Sequence, residues 1–144
     1  MKPKEFISQL DEEKIVAAIA VAEKKTSGEI RVYISDKKRE DPLAFAQKRF
    51  VKLGMTKTRQ RNGVLIYLAP AARKFAVVGD SGIHEKCGQT FWHETRDAMT
   101  DLLKQQLYTE AIVTAVNKIG VLLARHFPFR PDDKDELPNK IIRD

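Results

Sequence analysis

The side chains with the clearest potential for chemistry lie in three separate segments of the chain. They are the carboxylates of Glu29 and Asp80 and the amide of Asn62. Carboxylate and amide oxygens are hard ligands, which suit calcium or magnesium. Arg31 and Arg61 accompany them, and guanidinium groups suit a phosphate brought to such a cation. These five residues predict a divalent-cation site, provided that the fold brings the three segments together.

Three predicted strands carry these residues, and the connections between the strands decide whether the residues meet. Residues 29–35, 63–69 and 74–80 have strand patterns, and residues 42–53 have a helix pattern between the first two strands. A strand, helix, strand unit is nearly always parallel and right-handed. The short turn before residues 74–80 predicts a hairpin, so the third strand should run against the second. One edge of the sheet should therefore collect all five residues.

The same residues also have a purely structural explanation. Glu29 and Asp80 could form ion pairs with Arg31 and Arg61, or Asp80 could cap a loop in an Asx turn. A carboxylate at a partly buried edge is costly unless a positive group compensates it, and an arginine serves this purpose as well as a metal. Both explanations stay open at the level of sequence.

Helix and strand patterns predict the elements that position these residues. Asp11 is typical of an N-cap, and the apolar spacing after it predicts a helix that ends near residue 25. Asp41 and Pro42 are typical of a helix start, and Gly54 is typical of a helix end. The apolar stripe of that second helix consists of Leu43, Ala46, Phe50 and Leu53.

The first two strands differ in their predicted burial. Residues 29–35 alternate between apolar and polar types, which predicts a half-buried strand with one face in the core. The inward residues would be Ile30, Val32 and Ile34, and the outward residues Arg31, Tyr33 and Ser35. Residues 63–69 are apolar on both faces, which predicts a central strand with cover on both sides.

The second half of the chain is predicted to be helical. Helical spacing of apolar residues covers residues 89–107 and residues 108–125, with Thr109 as a candidate cap. The segment between the third strand and the first of these helices is predicted to be a loop. One domain, residues 1–128, is therefore expected, followed by an acidic tail, residues 129–144, which would either dock through its apolar residues or remain loose.

Composition narrows the class of protein. The chain of 144 residues has 42% hydrophobic and 32% charged residues, a single cysteine, and no apolar run long enough to cross a membrane. Without a signal-peptide pattern, it is expected to be cytoplasmic, with no membrane partner. Residues 48–61 carry six basic and no acidic residues. A solvated surface is preferred there over nucleic-acid binding, because interleaved aromatic residues and a known motif are both missing.

Several segments together resemble the TPM-domain family, which is named for a thylakoid lumen protein, a photosystem II repair protein and a nematode receptor modulator. The segments are KKTSGEIRVYIS, DPLAFAQKRFVKLGM, RNGVLIYLA, RKFAVVGDSGI, a following FW and a late HFP, and they extend from about residue 11 to residue 128. The resemblance is to the short, free-standing bacterial members. It implies an α/β fold, a three-layer α/β/α sandwich with a small mixed β-sheet flanked by helices.

The resemblance also has implications for function. Plant relatives are associated with acid phosphatase activity and photosystem II repair, and calcium in particular is associated with an acidic crevice of the domain. The positions that match this crevice are Glu29 and Asp80, followed by Asn62. Two hypotheses follow, a divalent-cation (calcium) binding accessory module that acts through a protein partner, and a metal-assisted phosphatase in which Arg31 or Arg61 steadies the phosphate. The accessory module is preferred, because hydrolases that use two cations bring more carboxylates and histidines together.

Overall fold

Six helices and a mixed sheet of four strands make up the part of the chain that the computed structural model describes, residues 2–88, 92–129 and 137–144. The helices are α1 (Pro3–Ser8), α2 (Glu12–Glu23), α3 (Pro42–Lys52), α4 (Ser81–Cys87), α5 (Trp92–Lys104) and α6 (Tyr108–His126). The strands are β1 (Glu29–Ile34), β2 (Gly63–Ala69), β3 (Lys74–Gly79) and β4 (Ile142–Arg143). Each of these helices is too short or too polar to span a bilayer.

The strands run in the relative directions that the sequence predicts. The strands lie in the order β3-β2-β1-β4. β1 and β2 are parallel, with Glu29 opposite Gly63, and β3 is antiparallel to β2, with Gly79 opposite Val64. The beginnings of β1 and β2 therefore lie beside the end of β3, at what we call the polar edge of the sheet. The predicted convergence of the three segments is confirmed.

Helices cover both faces of the sheet, which confirms the predicted α/β sandwich. On one face, Ile30, Val64 and Ile66 pack with residues of α2, α5 and α6 in the larger apolar core. On the other face, Leu65 and Tyr67 pack with residues of α3 in a smaller core. The polar edge thus lies at one end of a sheet whose two faces are both covered by helices.

The predicted half-buried character of β1 is wrong. All six residues of the strand are buried, including Arg31 and Tyr33, which were expected to face outward. Alternation of polar and apolar residues reports which side chains tolerate water, but it does not show whether a second layer covers them. Here α3 provides that layer. Leu43 shows the opposite difference. It was predicted to belong to the apolar stripe of the second helix, but it lies on the outer side of α3 with 48% of its surface exposed.

Two of the predicted helix caps are confirmed and one is wrong. The Asp11 carboxylate accepts a hydrogen bond from the Lys14 N–H, and the Asp41 carboxylate accepts one from the Ala44 N–H. Gly54 adopts a left-handed conformation, with φ of 74°, directly after α3. Thr109 does not cap α6, whose N-cap is Leu107. The Thr109 hydroxyl instead accepts a hydrogen bond from the Asp11 N–H and so joins the starts of α2 and α6.

Three elements were missed by the sequence patterns. These are α1, α4 in place of the predicted loop after β3, and β4 within the predicted tail. Each is short, so its periodicity is weak. Ile142 pairs with Tyr33 of β1, and Ile141 is buried in the larger core. Of the two alternatives for the tail, residues 137–144 therefore dock. The start of the first predicted C-terminal helix, residues 89–91, and the acidic run at residues 130–136 lie outside the described residues.

Candidate functional site

Asp80 is held from two sides at the end of β3. Arg61 Nε donates to Asp80 Oδ2 at 2.8 Å, and Arg61 Nη2 donates to Oδ1 at 2.9 Å. Oδ1 also accepts a hydrogen bond of 2.7 Å from the Ser81 N–H, which makes Asp80 the N-cap of α4. The carboxylate raises the pKa of Arg61 through this hydrogen bond and through its charge. Asp80 is thus an ion-pair partner, one of the two roles in the structural explanation, and it caps a helix where that explanation expected a capped loop.

The two side chains of this pair differ in their exposure. The Asp80 side chain is 5% exposed, whereas the Arg61 side chain is 49% exposed. Arg61 also has a positive φ of 52°, which is uncommon for a residue with a side chain. The arginine therefore covers a buried carboxylate from the solvent side.

Gly82, in the first turn of α4, packs tightly against the backbone that precedes β2. A Cβ atom on Gly82 would lie 2.2 Å from the carbonyl oxygen of Gln60 and 2.6 Å from that of Arg61. The Gly82 N–H donates to the Arg61 carbonyl at 2.9 Å. The start of α4 is thus pressed against the backbone before β2, and only glycine fits there. The GDSG segment is a structural junction between β3, α4 and the 60–61 turn.

Glu29 and Arg31 are buried in β1, with 3% and 8% of their surface exposed. Burial lowers the pKa of the Arg31 guanidinium, and the negative charges of Glu23 and Glu29 oppose this lowering. Glu23 also accepts a hydrogen bond of 2.8 Å from the Ile30 N–H. Glu23 is therefore a member of the polar edge that the sequence reasoning missed. Its position at the end of α2, a few residues before β1, was the available signal.

Asn62 belongs to a separate hydrogen-bonded group. Its Nδ2 donates to Ser27 Oγ at 3.2 Å, and Gln60 Nε2 donates to the same oxygen at 2.9 Å. Its backbone N–H donates to Thr58 Oγ1, and its backbone carbonyl accepts from the Glu29 N–H at 3.4 Å. Within the described residues, the buried Asn62 Oδ1 has no hydrogen-bond partner. This oxygen has spare acceptor capacity, but the amide is oriented toward Ser27.

Gly63 lies between Glu29 and Asp80 at the polar edge, and other side chains fill the space above it. A Cβ atom on Gly63 would lie 3.2 Å from the Met55 carbonyl oxygen and 3.5 Å from the Phe50 ring. Two interstrand spacings, about 10 Å, separate the backbones on either side. Across the described ranges, no group of three His, Cys, Asp or Glu residues is arranged to hold a metal ion. The edge brings the predicted residues near one another, but as separate clusters.

Within residues 2–88, 92–129 and 137–144, the histidines and the cysteine join no cluster that could hold a metal ion. His84 and His93 are exposed, on α4 and α5. Cys87 packs against the larger core, and burial raises the pKa of its thiol, more than the nearby Lys86 lowers it. A raised pKa leaves the thiol protonated at neutral pH, and a protonated thiol is a poor nucleophile.

The fold and the polar edge together define a three-layer α/β/α domain with buried charge at the beginning of its parallel strands. A family model described as the TPM domain matches residues 1–122. The chain belongs to the TPM-domain family, which confirms the resemblance that the sequence segments indicated.

Two solved structures of bacterial proteins are similar to this chain. The NMR structure of the BA42 protein from the psychrophilic bacterium Bizionia argentinensis has 40% sequence identity and a TM-score of 0.86, with 94% of this chain and 96% of that chain covered. The N-terminal domain of the cg2496 protein from Corynebacterium glutamicum has 16% identity and a TM-score of 0.62, with 94% and 81% covered, and shows the fold alone. A comparison with curated proteins gives no match.

Proposed function

We propose that this TPM-domain protein is an accessory module that binds calcium or magnesium weakly at the polar edge and transmits that binding to a protein partner. The observation that carries the proposal is the pair formed by a half-exposed Arg61 and a buried Asp80. A hard cation prefers carboxylate oxygen, and Asp80 has two such oxygens directly beneath the half-exposed Arg61 side chain. The cation would displace the arginine from the carboxylate instead of entering an empty site.

Displacement of a bound arginine explains why the affinity should be low. The cation gains the carboxylate but must break two charge-assisted hydrogen bonds. We therefore expect a dissociation constant of about 10⁻⁴ to 10⁻³ M, which is the range of weak calcium modules. Glu29, at the same edge, adds negative charge nearby. Asn62 Oδ1, which accepts no hydrogen bond within the described residues, would supply a neutral oxygen ligand.

The released Arg61 links cation binding to a partner. Once displaced, its guanidinium would present a positive, planar donor at the surface, suited to a carboxylate or phosphate of another protein. The same release would free Arg61 to steady a phosphate in a metal-assisted phosphatase, the second candidate. The accessory role is better supported, because hydrolases that use two cations gather three or more carboxylates and histidines, and the described residues contain no such group.

The experiment is a titration of the ¹⁵N-labelled protein with calcium chloride or magnesium chloride, followed by amide chemical shifts. We expect saturable shifts around Arg61 and Asp80. Asp80→Asn should abolish them while it preserves the fold, because asparagine also caps helices. Arg61→Gln should tighten binding about fivefold, because one competing charge is removed. Lys57→Gln, which removes an exposed charge nearby, is the matched control.

Two outcomes would contradict the proposal. Shifts that persist in Asp80→Asn would place the ion elsewhere, and an absence of shifts up to about 10 mM of either ion would remove the cation. Assays with p-nitrophenyl phosphate, with and without metal, separate the two candidates. Turnover that disappears in Asp80→Asn would favour the phosphatase.

A further inference from the structure

A cavity of about 400 Å³ lies at the end of the sheet opposite the polar edge. It is formed where β2 ends and β3 begins, beneath α1, the end of α5 and the start of α6. Its size falls within the range of roughly 300 to 1,000 Å³ that is usual for small-molecule sites. The cavity shares no residue with the polar edge, so a ligand could occupy it whether or not a cation binds at that edge.

The interior of this cavity is apolar. Phe6 and Leu68 line it and are nearly fully buried. Phe75, Leu103 and Tyr108 also line it and are partly buried. The rings of Phe6 and Tyr108 pack with their centroids 4.8 Å apart. Rigid aromatic and aliphatic walls favour an apolar ligand group.

Positive charge surrounds the apolar interior. The described lining includes Arg73, Lys74 and Lys104 and no acidic residue. Lys74 is bound to Glu40 at 3.1 Å. Arg73 and Lys104 have no salt-bridge partner among the residues that the structure describes. Lys104 lies in the last turn of α5, where a positive charge interacts favourably with the helix dipole. Arg73 has no such structural explanation.

Unusual backbone conformations cluster at the same place. Within the described ranges three non-glycine residues have a positive φ, and two of them, Arg73 at 54° and Gln106 at 61°, line this cavity. Such conformations cost free energy and tend to occur where function requires a particular side-chain placement. Arg73 is the left-handed residue in the turn between β2 and β3, and its positively charged side chain lines the cavity.

We propose that this cavity binds an amphipathic anion, a carboxylate or phosphate head on an unbranched hydrocarbon tail. The head would lie beside Arg73 and Lys104, and the tail would lie among the apolar walls around Leu68 and Phe75. The volume accommodates about a dozen non-hydrogen atoms at roughly 30 Å³ each. An eight-carbon chain with its head group meets this limit.

The test uses sodium octanoate as the probe, with amide shifts of the ¹⁵N-labelled full chain as the readout. We expect saturable shifts at residues 73–75 and 103–108. From butanoate to octanoate, affinity should rise about fourfold per methylene until the cavity is full. Octyl phosphate compares the two head groups, and 1-octanol, which has the tail without the charge, should bind more weakly.

Charge variants separate the proposed site from nonspecific apolar binding. Arg73→Asn tolerates the left-handed backbone, and Lys104→Gln suits a helix; each should weaken octanoate about fivefold, as expected for a solvent-exposed ion pair. Arg96→Gln, an exposed cation on α5 outside the lining, should leave affinity unchanged. Octanol binding as tightly as octanoate, shifts located elsewhere, or a double Arg73→Asn/Lys104→Gln variant with parental affinity would each overturn the proposal.

Discussion

The α-carbon of Gly82 lies so close to the carbonyl oxygen of Gln60 that a Cβ atom there would be 2.2 Å away. The obstacle is backbone, which cannot rotate aside as a side chain can. This contact holds the start of α4 against the turn before β2, and it keeps Asp80 within reach of Arg61. The geometry of the polar edge therefore depends on one position without a side chain.

Gly82→Ala is expected to destabilise the protein by about 2 kcal/mol or more, because overpacking against backbone forces α4 outward. The free energy of unfolding can be measured by urea denaturation. Ser81→Ala, a change at the adjacent exposed residue, is the control and should have a small effect. Equal stability of Gly82→Ala and the parent would contradict the tight packing.

The Arg61–Asp80 pair should show energetic coupling. We expect a double-mutant cycle with Arg61→Gln and Asp80→Asn to give a favourable coupling energy, because the pair is bidentate and Asp80 is buried. Arg61→Gln alone should be the costlier single change, because it leaves the buried carboxylate without its counter-charge. Urea denaturation of the four proteins measures this. A coupling energy near zero would indicate a purely exposed, solvent-screened pair.

Tyr33 is expected to make stability depend on pH in the alkaline range. Burial, followed by the charge of Asp144, raises the pKa of the phenol from 10.0 to about 12. The folded state therefore retains a proton that the unfolded state loses, so stability is unaffected below pH 10 and falls by up to about 1.4 kcal/mol per pH unit between pH 10 and 12. Denaturation across this range should show the slope in the parent and a reduced slope in Tyr33→Phe. Equal slopes would contradict the raised pKa.

Tyr67 offers a stabilising substitution. Its side chain is fully buried and stacks on Tyr33 with ring centroids 5.0 Å apart. Within the described ranges its hydroxyl has no hydrogen-bond partner, and a buried hydroxyl without one costs free energy. Tyr67→Phe should therefore raise stability by about 1 kcal/mol, measurable as a higher melting temperature. A loss of stability of that size would show that the hydroxyl has a partner.

Local sequence signals predicted the elements whose causes are local. The caps at Asp11 and Asp41 and the glycine stop at Gly54 use side chains or backbone freedom within a few residues of the helix end, so pattern and structure agree. Thr109 shows the limit of this reasoning. It has the right residue type near a helix start, yet its hydroxyl serves Asp11, which is distant in sequence.

The location of the polar edge was predictable, but its internal arrangement was not. The chirality of strand connections restricts β1 and β2 to one relative direction, and a short turn reverses β3, so Glu29, Asn62 and Asp80 had to arrive at the same edge. Which carboxylate meets which cation depends on side-chain packing. Glu23 entered the edge from α2, and Phe50 and Met55 filled the space over Gly63.

The amino-acid sequence by itself determined the edge at which the charged residues gather, because periodicity, caps and strand connectivity act over short distances. Its segments also carried the resemblance to the family, and that resemblance implied the layer order. Only the tertiary structure decided that Arg61 covers Asp80, that β1 is buried on both faces, and that an apolar cavity with a positive rim forms at the far end of the sheet. These features arise from contacts between segments far apart in the chain. Their energies depend on three-dimensional packing and burial, which no local pattern encodes.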